Sequence, residues 1–210
     1  MADSEILIET IIVIGITIIL STIFKDYGSV IIIILVVFFL IESRIRHRSW
    51  VSIGFNVKDT LINARKNWCV VVFVGIILPL LIFFIAKQFV PEFITHVKSR
   101  LPLNINAIIP AIIAITIGTF LEEVIFRGFI QERLSWFIGT PIAIIITSIL
   151  FAFMHISKGS FKIVTFDLTG IFIDSIFYGI IFSKTKNIFA SWSVHYMSDL
   201  VALLCFLFFI

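Results

Sequence analysis

The chain has 210 residues, of which 60% are hydrophobic and only 14% charged, with a mean hydropathy of +1.17. A soluble domain carries about a quarter charged residues, so a soluble core is ruled against, and the continuous apolar runs argue against an alternating outer-membrane barrel. The net charge of +3 is small and sits mostly in connections, which fits a topology signal and not a nucleic-acid partner.

These features imply an all-α, polytopic transmembrane bundle of about seven spanning helices. Its first partner is the lipid bilayer. Richness in Ile, Phe and Lys points to an AT-rich bacterial genome and hence to a multi-pass protein of the bacterial plasma membrane. Two cysteines, Cys69 and Cys205, lie in apolar segments and read as small buried hydrophobes.

The first apolar segment runs from about Ile6 to Phe24, with Glu9 near its start. Met1 to Glu9 has no basic n-region and no small-residue cleavage site follows, so the segment reads as a retained helix. Lys25-Asp26-Tyr27-Gly28-Ser29 is a turn, and the second segment, Val30 to Ile41, is short. Glu42 to Asn67 is a long polar connection carrying Arg44, Arg46, Arg48, Lys58, Arg65 and Lys66. Those basic residues place it in the cytoplasm, and Trp50, Ile53 and Phe55 predict a stretch lying along the headgroups.

The third segment, Trp68 to Ala86, contains Pro79, which predicts a kink. Lys87 to Asn104 holds a small amphipathic piece between Pro91 and Pro102. The fourth helix starts near Ile105 and its pattern persists to Phe137, longer than a bilayer, which predicts a bend or an exit into the interface. Gly139-Thr140-Pro141 turns the chain into a fifth helix ending near His155. The sixth runs from Ile163 to Ser183 and the seventh from Asn187 onward. With the basic loop inside, cytoplasmic connections hold nine Lys or Arg against six outside, so the N-terminus is placed inside. The chain divides into N-terminal helices with their basic loop (1–104) and a core (105–210).

Charges at bilayer depth cost several kcal/mol and are kept where they pair or work. In the last four helices they are Glu122, Glu123 and Arg127, then His155, then Asp167 and Asp174, then His195 and Asp199. Glu123 and Arg127 lie one helical turn apart and can pair, while Glu122 points about 100° away. His155 follows Glu122 by 33 residues. Folding about the Gly139 turn puts both roughly 22 Å from it. His195 and Asp199 share a face of the last helix. Asp167, Asp174 and Tyr178 form a stripe that lines a cavity at most.

Each group has a structural explanation of its own. Glu123 and Arg127 can be a structural ion pair, His155 an interfacial histidine, and His195 and Asp199 partners of each other. Three helices placing an acid or a histidine at one depth is harder to explain that way. A carboxylate in an apolar cavity can take a proton from water, and His195 with Asp199 can steady an oxyanion. Two histidines and carboxylates also make a zinc set, and spacing does not separate the two mechanisms. The helical zinc-protease signature, histidines at i and i+4 with a glutamate after the first, is absent.

The three motifs are Glu122-Glu123-x-x-x-Arg127-Gly128, Phe151-Ala-Phe-Met-His155 and His195-Tyr-Met-Ser-Asp199. In order and spacing they resemble the CPBP family of intramembrane proteases, named for CAAX proteases and bacteriocin-processing enzymes and also called Abi. The resemblance covers about residues 105 to 210. It implies Glu122 as the water-activating base helped by His155, with Glu123, Arg127 and Phe151 in support. His195 and Asp199 would form the oxyanion site, or His155, His195, Glu122 and Asp199 would ligate Zn2+. Asp199 departs from the asparagine more frequent in the pattern, and an ionised aspartate cannot donate to an oxyanion. The implied substrate is a peptide or protein at the membrane, lipid-modified or not, in peptide maturation or self-immunity. A non-catalytic immunity protein of the same fold and a proton-coupled transporter are the competing functions.

Overall fold

A computed structural model describes residues 2–24, 27–98 and 108–209. The expected turn residues Lys25 and Asp26, the start of the fourth helix near Ile105, and the 104/105 boundary lie outside these residues. Among the described residues there is no strand. The helices are α1 (Ala2–Ile23), α2 (Gly28–Ile45), α3 (Thr60–Lys66), α4 (Trp68–Phe89), α5 (Pro91–Lys98), α6 (Ile108–Ile138), α7 (Thr140–Met154), α8 (Phe161–Thr185) and α9 (Ile188–Phe208). In α1, α2, α4, α6, α8 and α9 the chain is long and apolar enough to cross a membrane. At 15 residues, α7 reaches only about 22 Å. Its end therefore stops inside the bundle, and that is where His155 sits.

Buried charge explains where the boundaries differ from expectation. Helix α2 does not end at Ile41 but continues to Ile45, because Glu42 and Ser43 are buried against the bundle. Glu42 pairs with Arg46 and, at 2.5 Å, with Arg133 of α6. Arg133 and Arg46 also reach Glu9 of α1 at 3.1 and 2.6 Å. Two acids and two bases thus tie α1 and α2 to the end of α6, and Arg133 is almost wholly buried. An unpaired guanidinium there would be costly.

The long polar connection does not simply lie along the headgroups. Ile53 is buried in the main core, and Gly54, at φ +93°, turns the chain so that its carbonyl accepts from Ile188 N at 2.8 Å. Phe55 then packs edge-on against Phe120 and Phe189. A glycine is needed at this turn twice over: the left-handed φ suits it, and a Cβ would stand 2.9 Å from Ile188 Cγ1.

Helices α4 and α6 stay continuous by widening to π geometry instead of breaking, over Phe73–Ile77 ahead of Pro79 and over Val124–Gln131. The π stretch precedes Pro79, where it makes room for a ring that would otherwise press on the preceding turn. Of the cysteines, Cys205 is buried but Cys69 is exposed on the outer surface of α4, so only one matches the expected buried pair.

Replacing Arg133 with Gln leaves Glu42 buried with half its counter-charge. The expected loss is about 3 kcal/mol, read as the unfolding midpoint in mixed detergent micelles. A change within about 0.5 kcal/mol would show that the four-charge cluster does not hold α1 and α2 in place.

Candidate active site

Helix α6 carries the adjacent carboxylates, and the bundle treats them oppositely. Glu123 is fully buried. Its Oε2 faces Arg127 Nε at 3.4 Å and accepts a hydrogen bond from the Ser191 hydroxyl. Its Oε1 accepts from His195 Nδ1 at 2.9 Å. The expectation that Glu123 is simply the arginine's partner is therefore too narrow: it also anchors a histidine 72 residues away. Arg127 is held in turn, donating to Ser175 Oγ at 2.8 Å and to Gln131 Oε1 at 3.3 Å. Gln131 donates to the Gly179 carbonyl at 2.9 Å. These are two rungs of one ladder, i and i+4 on α6 against i and i+4 on α8. Gly179 is needed for the approach, since a Cβ there would stand 2.7 Å from Gln131 Oε1.

Glu122, one residue earlier, is part-exposed and lines the cavity. Its Oε1 lies 3.8 Å from His155 Nε2 and its Oε2 lies 3.8 Å from His195 Nε2. His195 Nε2 is also 3.8 Å from Asp199 Oδ2. The structure thus brings Glu122, His155, His195 and Asp199 together from three helix ends and faces, at distances too long for direct hydrogen bonds. His195 and Asp199 do not bond each other; Glu123 is the partner that His195 takes.

Both imidazoles are fixed through Nδ1. In His155 that atom lies 2.7 Å from the Phe151 carbonyl, and a carbonyl only accepts. In His195 the Nδ1 partner is the Glu123 carboxylate. Each Nδ1 is therefore the protonated, donating nitrogen, and each Nε2 is turned to Glu122. Aromatic packing sets the ring planes. Phe151 stands between the two histidines, 4.6 Å from the His155 ring and 5.7 Å from that of His195. Tyr178 stacks on His195 at 4.4 Å and 21°.

Two cavities meet at Glu122 and His155. One, of about 380 Å³, runs between α1, α2 and α6 and is walled mainly by Ile and Leu side chains, with Gly28 and Gly118. The other, of about 490 Å³, lies between α6, α8 and α9 and includes Asp174, Tyr178, His195 and Asp199. Asp174 and Tyr178 of the expected stripe therefore do line the site, while Asp167 lies further along, in an adjoining cavity. Ser191, Ser175 and Gln131 were not singled out by sequence. Their signal was present: Ser191 precedes His195 by four residues, and Ser175 precedes Gly179 by four.

Residues 104–201 match the family described as Type II CAAX prenyl endopeptidase Rce1-like, within which the three motifs fall. This segment is a CPBP-family domain. No curated protein and no solved structure matches the chain. The CPBP domain carries all four converging side chains, whereas α1 and α2, which wall the first cavity, lie outside it. Among the described residues no three His, Cys, Asp or Glu side chains are arranged to hold a metal ion.

The two glutamates should separate cleanly on substitution. Glu123→Gln strands the buried Arg127 and is expected to cost about 3–5 kcal/mol of stability. Glu122→Gln, at a part-exposed carboxylate without a hydrogen bond, is expected to cost less than about 1 kcal/mol. Unfolding midpoints of the purified proteins in one detergent check this; equal losses would contradict the division of roles.

Proposed function

We propose that the protein is an intramembrane endopeptidase that hydrolyses a peptide bond in a membrane-associated or lipid-modified peptide, with Glu122 as the base. The observation that carries this reading is a carboxylate placed between two imidazole Nε2 atoms, 3.8 Å from each. Gaps of that length suit a bridging water. Multi-pass helices and the CAAX-protease-family domain support the membrane setting and the class of bond.

In this reading a water held by Glu122 and His155 Nε2 loses a proton to Glu122 as its oxygen attacks the scissile carbonyl carbon. The electron pair of the C=O moves onto oxygen, and the oxyanion is met by His195, whose doubly protonated form donates from Nε2. Collapse re-forms the carbonyl and breaks the C–N bond, and Glu122 returns the proton to the leaving amine. Asp199 lies 3.8 Å from the same Nε2 and supports its protonated form by charge, a role that an aspartate can fill without donating. Water is consumed and a carboxylate and an amine are formed. Peptide maturation or self-immunity in a bacterial membrane is the setting that fits such an activity.

The test is cleavage of membrane-anchored fluorogenic peptides, with and without a C-terminal prenyl cysteine, by protein reconstituted in liposomes. Glu122→Gln is expected to lower turnover by about 10³-fold with its fold intact. Turnover retained in Glu122→Gln, or no cleavage of any anchored peptide beside full biological activity, would remove the reading in favour of a non-catalytic immunity protein. Metal content of wild type and His195→Ala is measured in the same preparations. A stoichiometric metal lost in the variant would reassign the four side chains from water activation to ligation.

A further inference from the structure

Beside the site's 490 Å³ cavity lies another of about 210 Å³, and the two share Val97, Ile171, Asp174, Asp199, Ala202 and Phe206 as common wall. Together they form a passage from Glu122 along α8 and α9 toward α5. Its ionisable lining is one-sided. Glu122, Asp174 and Asp199 line it, with Asp167 at the far part; among the described residues the basic groups are the imidazoles of His155 and His195, and no described lysine or arginine lines either cavity. Arg127, the nearest buried guanidinium on α6, is already committed to Glu123, Ser175 and Gln131.

The position within this passage that lacks an internal explanation is Asp174. Its Oδ1 is sealed from solvent and has no hydrogen-bond partner among the described residues, although buried carboxylate oxygens are ordinarily bonded. It sits one turn before Tyr178, the residue stacked on His195, so its depth is close to that of the reacting groups. Asp174 lines both cavities, and a carboxyl group with an unpaired oxygen there is suited to a donor brought by a ligand, a charged donor giving the strongest bond.

We propose that this passage is a subsite for a cationic group, a lysine or arginine side chain or an amino terminus, with Asp174 as its principal acceptor and Asp199 at its inner edge. The proposal rests on the endopeptidase reading for its biological meaning: the peptide cut at Glu122 would carry a basic residue next to the scissile bond. The apolar walls, including Phe206, Ile171 and Val97, suit the methylene stem of a long basic side chain.

Binding tests this without requiring cleavage. The probe is dansylcadaverine, an alkyl ammonium on a fluorescent group, compared with its N-acetylated, uncharged form. Both are titrated into the full-length protein in nanodiscs of neutral phosphatidylcholine. Wild type is expected to bind the ammonium about tenfold more tightly than the acetylated form. Asp174→Asn is expected to lose that preference while binding the acetylated form as before, and Asp174→Glu to retain it. Equal affinity of wild type for the two probes, a preference that survives Asp174→Asn, or a preference lost in Asp174→Glu would each overturn the proposal. If anchored peptides are never cleaved yet the ammonium preference follows Asp174, the endopeptidase reading fails and the cation subsite stands.

Discussion

Glu123 is the constraint on which the site depends. A carboxylate with no exposed surface must have its charge and lone pairs met from within, and here Arg127, Ser191 and His195 meet them from two helices. That requirement fixes α9 against α6 and turns His195 so that its remaining nitrogen points outward. The neighbouring Glu122 inherits an environment it did not have to build. Because successive residues on a helix diverge by about 100°, satisfying one glutamate completely leaves the next directed into the cavity, facing two imidazoles and no strong counter-charge.

The surrounding packing preserves that asymmetry. The π-helical stretch Val124–Gln131 follows the two glutamates directly and keeps Arg127 and Gln131 aimed at α8, where a serine and a glycine leave room for them. π segments are inserted where a side chain must be redirected, and often at functional sites. The short α7 contributes in a different way. By stopping at Met154 it leaves His155 at a helix end within the bundle, where the Phe151 carbonyl has a free lone pair to take the Nδ1 proton.

Much of this can be read in the chain before any coordinates. The i, i+4 spacing of Glu123 and Arg127, the near-equal distances of Glu122 and His155 from Gly139, and His195 with Asp199 on one face all depend on local helix geometry, and they place four groups at one depth. What sequence did not reveal depends on side chains far apart along the chain. The Glu123–His195 bond joins residues 72 apart, and helical periodicity says which way a side chain points but not what it meets. The same holds for α2, whose extension through Glu42 follows from Arg133 on α6. It holds also for the basic loop, which composition reads as interfacial until the Gly54 carbonyl is seen to receive the Ile188 amide. The π stretches leave no pattern in a sequence whose apolar residues run all around the helix.

The most direct measurement is of the protons on His195. Nitrogen-15 spectra of histidine-labelled protein in micelles, assigned with His155→Gln and His195→Gln, report which ring nitrogen carries a proton. A hydrogen-bonded proton is expected on Nδ1 of His195, perturbed by Glu123→Gln and left in place by Glu122→Gln. A bare Nδ1 at His195, or a spectrum that responds to Glu122→Gln and ignores Glu123→Gln, would contradict the division of the two glutamates from which the site is built.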